Sequence, residues 1–285
     1  LYLRINYDNK QKGISMNGKV LYDSSKDSNG VIIFKCIVVL IVLFIAFIYF
    51  TYWQNTHIQT TRYTIKKGNL TRPITIAHLS DLHNEDWGEQ LYLRIKKLCP
   101  DYIVLTGDMV DYYHPNIKCT LEQIKPLVDI APVYFVQGNH EHYSIWYKNL
   151  TKQLWSIGVI VLDDTYVETE DCFIIGLMDG SMNVPVLDSD KFKILLAHRP
   201  EKFDFYAAEN MDLVLSGHTH GGQLRLPFIG GFFAPTQGFF PEYVSGKYEK
   251  NQATMIISRG LGNSSFPFRL FNQPELVVVN LIPMQ

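Results

Sequence analysis

The sequence predicts an α/β fold with a partly parallel sheet, preceded by one membrane-spanning helix. Three observations carry this. Short β-branched apolar runs recur between residues 74 and 281. Segments of helical periodicity separate the first three of them. One apolar stretch near the N-terminus is as long as the roughly 20 residues that a bilayer crossing needs.

The apolar stretch is residues 31–53. Every residue from Cys36 to Phe50 is apolar or aromatic, and Lys35 lies where a long stem can snorkel to headgroups. Tyr49, Tyr52 and Trp53 gather at the far end, as an interfacial aromatic belt does. The next residues are bulky and lack the small-residue pattern of a signal-peptidase site, so the segment reads as an uncleaved anchor. Basic residues flank it in balance: Arg4, Lys10, Lys12, Lys19, Lys26 and Lys35 before, and Arg62, Lys66, Lys67 and Arg72 after. A single N-terminal anchor before a long domain places that domain outside the cytoplasm, giving a single-pass cell-membrane protein. Residues 1–30 are polar, without periodicity, and read as a flexible tail in which Met16 is a candidate start.

Residues 54–73 read as linker and lead-in, and 74–285 as one domain. Its strands are expected at 74–79, 102–106, 133–137, 159–162, 173–177, 192–197, 213–216, 255–258 and 276–281. Residues 89–98 set Leu91, Ile95 and Leu98 on one helical face, and 121–128 is similar but carries Pro126. Strand–helix–strand alternation argues for parallel pairing. The formal net charge of −2 argues against a nucleic-acid partner, and four cysteines are too few for a disulfide scaffold.

Metal-type ligands follow the strands. The first strand leads into Ser80-Asp81-Leu82-His83 and the second into Gly107-Asp108-Met109-Val110-Asp111. The third leads into Gly138-Asn139-His140-Glu141. Later strands lead into His198-Arg199-Pro200 and Gly217-His218-Thr219-His220-Gly221-Gly222. In open α/β sheets, sites form beyond the carboxyl ends of strands. A lone Asp-x-His is ordinarily a loop pair and Gly-Asp ordinarily turn chemistry. Five such ends in one chain point instead to a shared centre.

This series resembles the calcineurin-like metallophosphoesterase superfamily over about residues 74–282. The phrases AHRPE, SGHTHGGQ, SRGLG and PEL resemble its membrane-associated bacterial branch of YkuE-type and YaeI-type phosphoesterases. The branch is also similar to a UDP-2,3-diacylglucosamine pyrophosphatase. The resemblance implies a four-layer αββα sandwich, the metallophosphoesterase fold, holding two divalent metal ions. Carried over by motif, Asp81, His83 and His220 would bind one metal; Asn139, His198 and His218 would bind the other; Asp108 would bridge them. Asp, Asn and His donors suit Mn, Fe or Zn.

Two cations would neutralise an anionic phosphodiester or pyrophosphate and hold a bridging hydroxide for in-line attack. His140 would be the general acid or transition-state donor, oriented and raised in pKa by Asp111, whose alternative role is a helix N-cap. Arg199 is a substrate-phosphate candidate or one half of a salt bridge. Residues 228–243, FIGGFFAPTQGFFPEY, together with Phe266, Phe268, Leu270 and Phe271, read as loops. They are either packed internally or form an apolar rim that meets acyl chains or the bilayer. The expected partners are thus a phosphoester substrate, which the rim would make lipid-linked, and the membrane. Rival readings are a membrane-tethered binding protein without turnover and a closed structural metal domain. The oxygen- and imidazole-rich donor set opposes the latter.

Overall fold

The computed structural model describes residues 15–16, 19–20, 24–226, 228–263 and 268–284, with side chains from residue 29 onward. Most of the tail predicted over 1–30, and Phe266, lie outside these residues. Where the tail is described, Ser15–Met16 pairs with Lys19–Val20 as an antiparallel ribbon. Residues 24–30 are already helical: helix α1 runs Ser24–Thr56, longer at both ends than the 31–53 span. Its apolar side chains from Val31 to Tyr49, and Tyr52, are exposed. One helix among the described residues is long and apolar enough to cross a membrane.

The chain divides into two compact units, Leu1–Tyr52 and Trp53–Gln285. In the second, period-two alternation sorts each buried strand between two cores. Strands β1 (Gln59–Lys67), β2 (Ile74–Leu79), β3 (Tyr102–Leu105), β4 (Val133–Phe135) and β5 (Ile160–Val161) belong to the first sheet. Strands β6 (Thr165–Glu168), β7 (Cys172–Gly176), β8 (Phe192–Leu196) and β9 (Leu213–Ser216) belong to the second. Two short hairpins follow: β10 (Arg225–Leu226) with β11 (Gly230–Gly231), and β12 (Phe233–Ala234) with β13 (Gly238–Phe239). Strands β14 (Gly246–Lys250) and β15 (Ala253–Ile257) complete the second sheet, and β16 (Glu275–Pro283) returns to the first.

The first sheet has order β1-β16-β2-β3-β4-β5, parallel except for β16 against β2. The second has order β14-β15-β9-β8-β7-β6, parallel through its centre and antiparallel at both edges. Ile74, Ile76 and Val104 from one sheet and Ile194, Leu196 and Leu215 from the other share the central core. The opposite faces take helices. Ala77, Leu79, Ile103 and Leu105 meet Leu91 and Ile95 of α2 (Gly88–Leu98), Ile124 of α3 (Ile117–Ile124), and Leu150 and Leu154 of a helix at Tyr147–Ser156. Leu195, Val214 and Met255 meet Phe203 and Tyr206 of a helix at Phe203–Ala208. The layers are therefore αββα, as the resemblance implied.

The 54–73 linker is corrected by β1, which pairs over nine residues with β16. Its sequence, QTTRYTIKK, buries only Ile65 because it is an edge strand. A polar edge strand carries little of the apolar signal by which buried strands are read. Helix α3 likewise starts before residue 121 and ends before Pro126, which opens a 3-10 turn at Lys125–Asp129.

Candidate metal centre

The parallel strands β2, β3, β8 and β9 all run in one sense to the same end of the sandwich, where the seven predicted ligand residues meet. Asp81, His83 and Asp108 come from the first sheet with Asn139. His198, His218 and His220 come from the second. All but Asn139 are buried. Asp81, His83 and His220 have ligand atoms mutually within 4.8 Å, as do Asp108, His198 and His218. A third such group, His83, Asp108 and His140, spans the gap between them.

Imidazole nitrogens face one another here. His83 Nε2 lies 3.1 Å from His220 Nε2, and His198 Nε2 lies 3.2 Å from His218 Nδ1. Asn139 Oδ1 is 3.2 Å from His198 Nε2, and Asp108 Oδ2 is 3.1 Å from the same nitrogen. His220 Nε2 is 3.4 Å from Asp81 Oδ1. Buried nitrogen facing buried nitrogen, with carboxylate oxygens alongside, is an arrangement that a divalent cation completes, so the donor set fits a metal. The outer atoms prepare it. His198 Nδ1 donates to the Thr106 carbonyl at 2.7 Å, which turns the Nε2 lone pair inward.

The backbone is bent to make this possible. Asp81, His83, Asp108, His218 and His220 all have positive φ, between 45° and 72°. Such left-handed non-glycine residues cost on the order of 1–3 kcal/mol each and gather at functional sites. Two glycines remove Cβ atoms where loops cross. A Cβ on Gly217 would fall 1.9 Å from Ser80 Oγ and 2.3 Å from Asp81 Oδ2. One on Gly138 would fall 2.3 Å from Asp108 Oδ1. The glycine ahead of each ligand therefore makes room for a carboxylate of another loop.

The charges follow from burial and pairing. Burial alone would push the Asp108 carboxyl up, but His198, His83 and His140 outweigh it and hold it well below the usual range. Burial opposes protonation of His198, yet the carboxylates of Asp108 and Asp81 raise it to about 10. His218 and His220 are held well below the ordinary value by burial, reinforced by neighbouring His198 and His83.

His140 sits as predicted beside Asn139, but its orientation has another source. The Tyr112 N–H donates to His140 Nδ1 at 2.8 Å, so in the neutral ring the proton resides on Nε2. Asp111 Oδ2 is 3.5 Å from that Nδ1 and 3.6 Å from His83 Nδ1. Its other oxygen accepts from Tyr113 and His114 N–H, an Asx-type turn, while the N-cap of α3 is Asn116. The His140 pKa is lowered overall: burial, helped by the charges of His83 and His198, outweighs the upward pull of Asp108 and, as expected, of Asp111. Arg199 forms the salt bridge that was its alternative role. Its Nε and Nη2 are spent on Asp179 at 2.7 and 2.8 Å, the salt-bridge alternative.

Three organising residues escaped the sequence reading. Glu141 is fully buried and accepts three backbone N–H groups: Asp108 at 2.8 Å, Val110 at 3.0 Å and Gly138 at 2.9 Å. It ties the second and third ligand loops together. The signal was its place directly after Asn139-His140. Arg269 is also fully buried; it donates to the Gly262 and Arg259 carbonyls and lies 3.4 Å from His220 Nδ1. Asn272 Nδ2 donates to the carbonyls of His220 and Gln223 at 2.7 and 3.0 Å. Nothing local in the sequence marks these last two, which reach the site from 49 and 52 residues away.

A family model described as calcineurin-like phosphoesterase matches residues 74–222. The chain is similar to the uncharacterized metallophosphoesterase YkuE of Bacillus subtilis (strain 168), at 28% identity over 81% of this chain and 87% of that protein. It is similar to the protein YpbG of the same organism, at 30% identity over 80% and 88%. It is similar to the phosphodiesterase YaeI of Escherichia coli (strain K12), at 31% identity over 74% and 83%.

Proposed function

Since the chain belongs to the calcineurin-like phosphoesterase family and is a metal-dependent phosphoester hydrolase, we propose that it is a membrane-anchored, dinuclear enzyme acting on phosphodiester or pyrophosphate bonds. Asp81, His83 and His220 would hold one divalent ion, and Asn139, His198 and His218 the other. Asp108 would be shared. The observation that carries this is the sharing itself: Asp108 stands in one donor group with His198 and His218 and in another with His83, at the seam of the two sheets. Mn, Fe or Zn suits these donors. When bound, such ions supply charge neutralisation for the phosphoryl oxygens and a water of lowered pKa.

The chain's own groups do the rest. His140 presents Nε2–H, fixed by the Tyr112 N–H on the opposite nitrogen, as the donor to the leaving oxygen. Asp111 acts as a positioning residue, shaping the turn that carries Tyr112. Arg199 is a partly buried tie to Asp179 in this reading. The apolar helix supports a single-pass cell-membrane protein; the hydrolase domain, from residue 59 onward, would then lie outside the cytoplasm. A UDP-2,3-diacylglucosamine-type pyrophosphate is the second substrate reading, favoured by the exposed aromatic loops near Phe232 and Phe271.

The test is hydrolysis of bis-p-nitrophenyl phosphate by the full chain in non-ionic detergent, chelated and then resupplied with Mn²⁺, beside Asp108→Asn. Metal-dependent turnover that vanishes in the variant supports the proposal. Two bound ions without turnover of this ester or of the UDP-linked lipid would favour the tethered binding protein.

A further inference from the structure

The aromatic loops form a shoulder beside the candidate centre. Phe228 is fully exposed at the tip of the β10–β11 hairpin, and Phe239 and Phe240 are about two-thirds exposed (66% and 64%). Phe232 stacks edgewise on Phe239 and Phe240 at 5.2 and 5.6 Å, and Phe233 on Phe239 at 5.4 Å. Five phenylalanines left in water over two hairpins is not the residue of ordinary packing.

One run of hydrogen bonds ties this shoulder to the turn that leaves the apolar helix. Trp53–Thr56 belongs to the same compact unit as the shoulder. Asn55 is paired both ways with the Arg269 backbone, at 2.7 and 3.0 Å, and Gln54 Oε1 accepts the Phe271 N–H at 2.5 Å. The Leu270 carbonyl accepts from Arg225 N–H, the Leu224 carbonyl from Phe232 N–H, and the Phe232 carbonyl from Phe240 N–H. Gly231 and Phe232 in turn press on Gly222, in the turn that holds His220. Gln54 is the first residue beyond the aromatic end of the span, so it lies within one helical turn of the bilayer interface.

We propose that this shoulder inserts its phenylalanines into the interface of a lipid bilayer, holding the candidate centre at the level of the headgroups. It therefore accepts phosphoesters whose acyl part stays in the membrane. The inference rests on the anchor reading above. Phenylalanine in a polar-backed loop suits shallow insertion, whereas a protein partner has no reason to be tied to the span's exit.

The test uses the full chain in phosphatidylcholine/phosphatidylglycerol nanodiscs, with its four cysteines replaced and one introduced by Phe228→Cys or, as control, Leu93→Cys on α2. Each is labelled with an environment-sensitive fluorophore. At 228 the emission should move to shorter wavelength and be quenched severalfold by lipids spin-labelled near the headgroup, with no change at 93. A label at 228 that stays water-exposed, or is shielded without lipid quenching as in contact with a second copy, overturns the proposal. Alkaline carbonate extraction of the unlabelled chain separates the two readings. Release from the membrane removes the anchor and this inference with it; retention with an unquenched 228 removes the shoulder alone. Phe228→Ser with Phe239→Ser should also lower hydrolysis of a vesicle-borne phosphodiester by about tenfold or more. Hydrolysis of bis-p-nitrophenyl phosphate should stay unchanged; equal loss on both overturns the proposal.

Discussion

Replacing Glu141 by alanine removes the one carboxylate that gathers the Asp108, Val110 and Gly138 N–H groups. Each buried donor left without a partner costs roughly 1–3 kcal/mol, and water entering the vacated space recovers part, so the loss is about 3–6 kcal/mol. The pH dependence has a definite sign. Burial, with the Asp108 carboxylate, pushes Glu141 up to about 7 from its ordinary value of 4.5. A group raised on folding stabilises fully below its unfolded value and loses that contribution as pH rises through about 7. The loss amounts to about 3 kcal/mol. The gap between wild type and Glu141→Ala is therefore widest near pH 5 and narrows toward pH 8. For a domain of this size 1 kcal/mol moves Tm by about 2–4 °C, so metal-free Glu141→Ala should melt about 10 °C or more below wild type at pH 5.5. The assay is circular dichroism of detergent-solubilised, chelated protein at both pH values. Glu141→Gln keeps one acceptor oxygen and should fall between the two, without the pH dependence. A variant melting within about 2 °C of wild type at pH 5.5 would refute the reasoning about the donors. A gap that widens with pH would refute the assigned pKa.

Three further outcomes are expected. Gly217→Ala drives a Cβ into Ser80 Oγ and Asp81 Oδ2 and should lower the metal retained after dialysis, counted by elemental analysis, to one ion per chain or fewer. Wild-type metal content in that variant would contradict the crowding. His140→Gln should retain wild-type metal content and lose about 10²–10³-fold in turnover, as removal of a hydrogen-bond donor to developing charge does; a loss of metal would make it a ligand instead. Burial depresses His78 to about 3, so its stabilising contribution is present above pH 6.5 and fades as pH falls toward 3, at about 1.4 kcal/mol per pH unit. His78→Gln should flatten the acid-side fall of Tm between pH 6.5 and 4.5, and an unchanged slope would assign that fall to other groups.

The interior of this fold was legible because it obeys one rule. Strands such as β2 and β9, buried on both faces, have to be continuous apolar runs, and their predicted bounds coincide with the observed ones. The edges obey a different rule. β1, β6 and β14 each keep one side free and most residues partly exposed, so their sequences read as linker or loop. The helix at Tyr147–Ser156 carried Leu150 and Leu154 one turn apart, a signal that was present and unread. Within the site, the candidate ligands declared themselves because each must follow a strand end. For Asp111, adjacency in a motif says nothing about which hydrogen bond is made: its carboxylate stands 3.5 Å from His140 Nδ1, while the Tyr112 N–H donates to that nitrogen. Arg199 stayed open between a substrate contact and a salt bridge, since Asp179, the partner it pairs with, lies 20 residues upstream with no motif to flag it.

The pairing of β1 with β16 also sets an order of events. Residues 59–67 are made early, yet their only strand neighbour among the described residues is made of residues 275–283, more than two hundred positions later in synthesis. Until that stretch emerges, the first sheet lacks its middle member between β1 and β2, and residues 59–67 wait as an unpaired strand. Such distant pairing makes folding slow and leaves an edge open to wrong partners. The hydrolase domain completes itself only once nearly the whole polypeptide has been made, so a stalled copy presents no assembled sandwich.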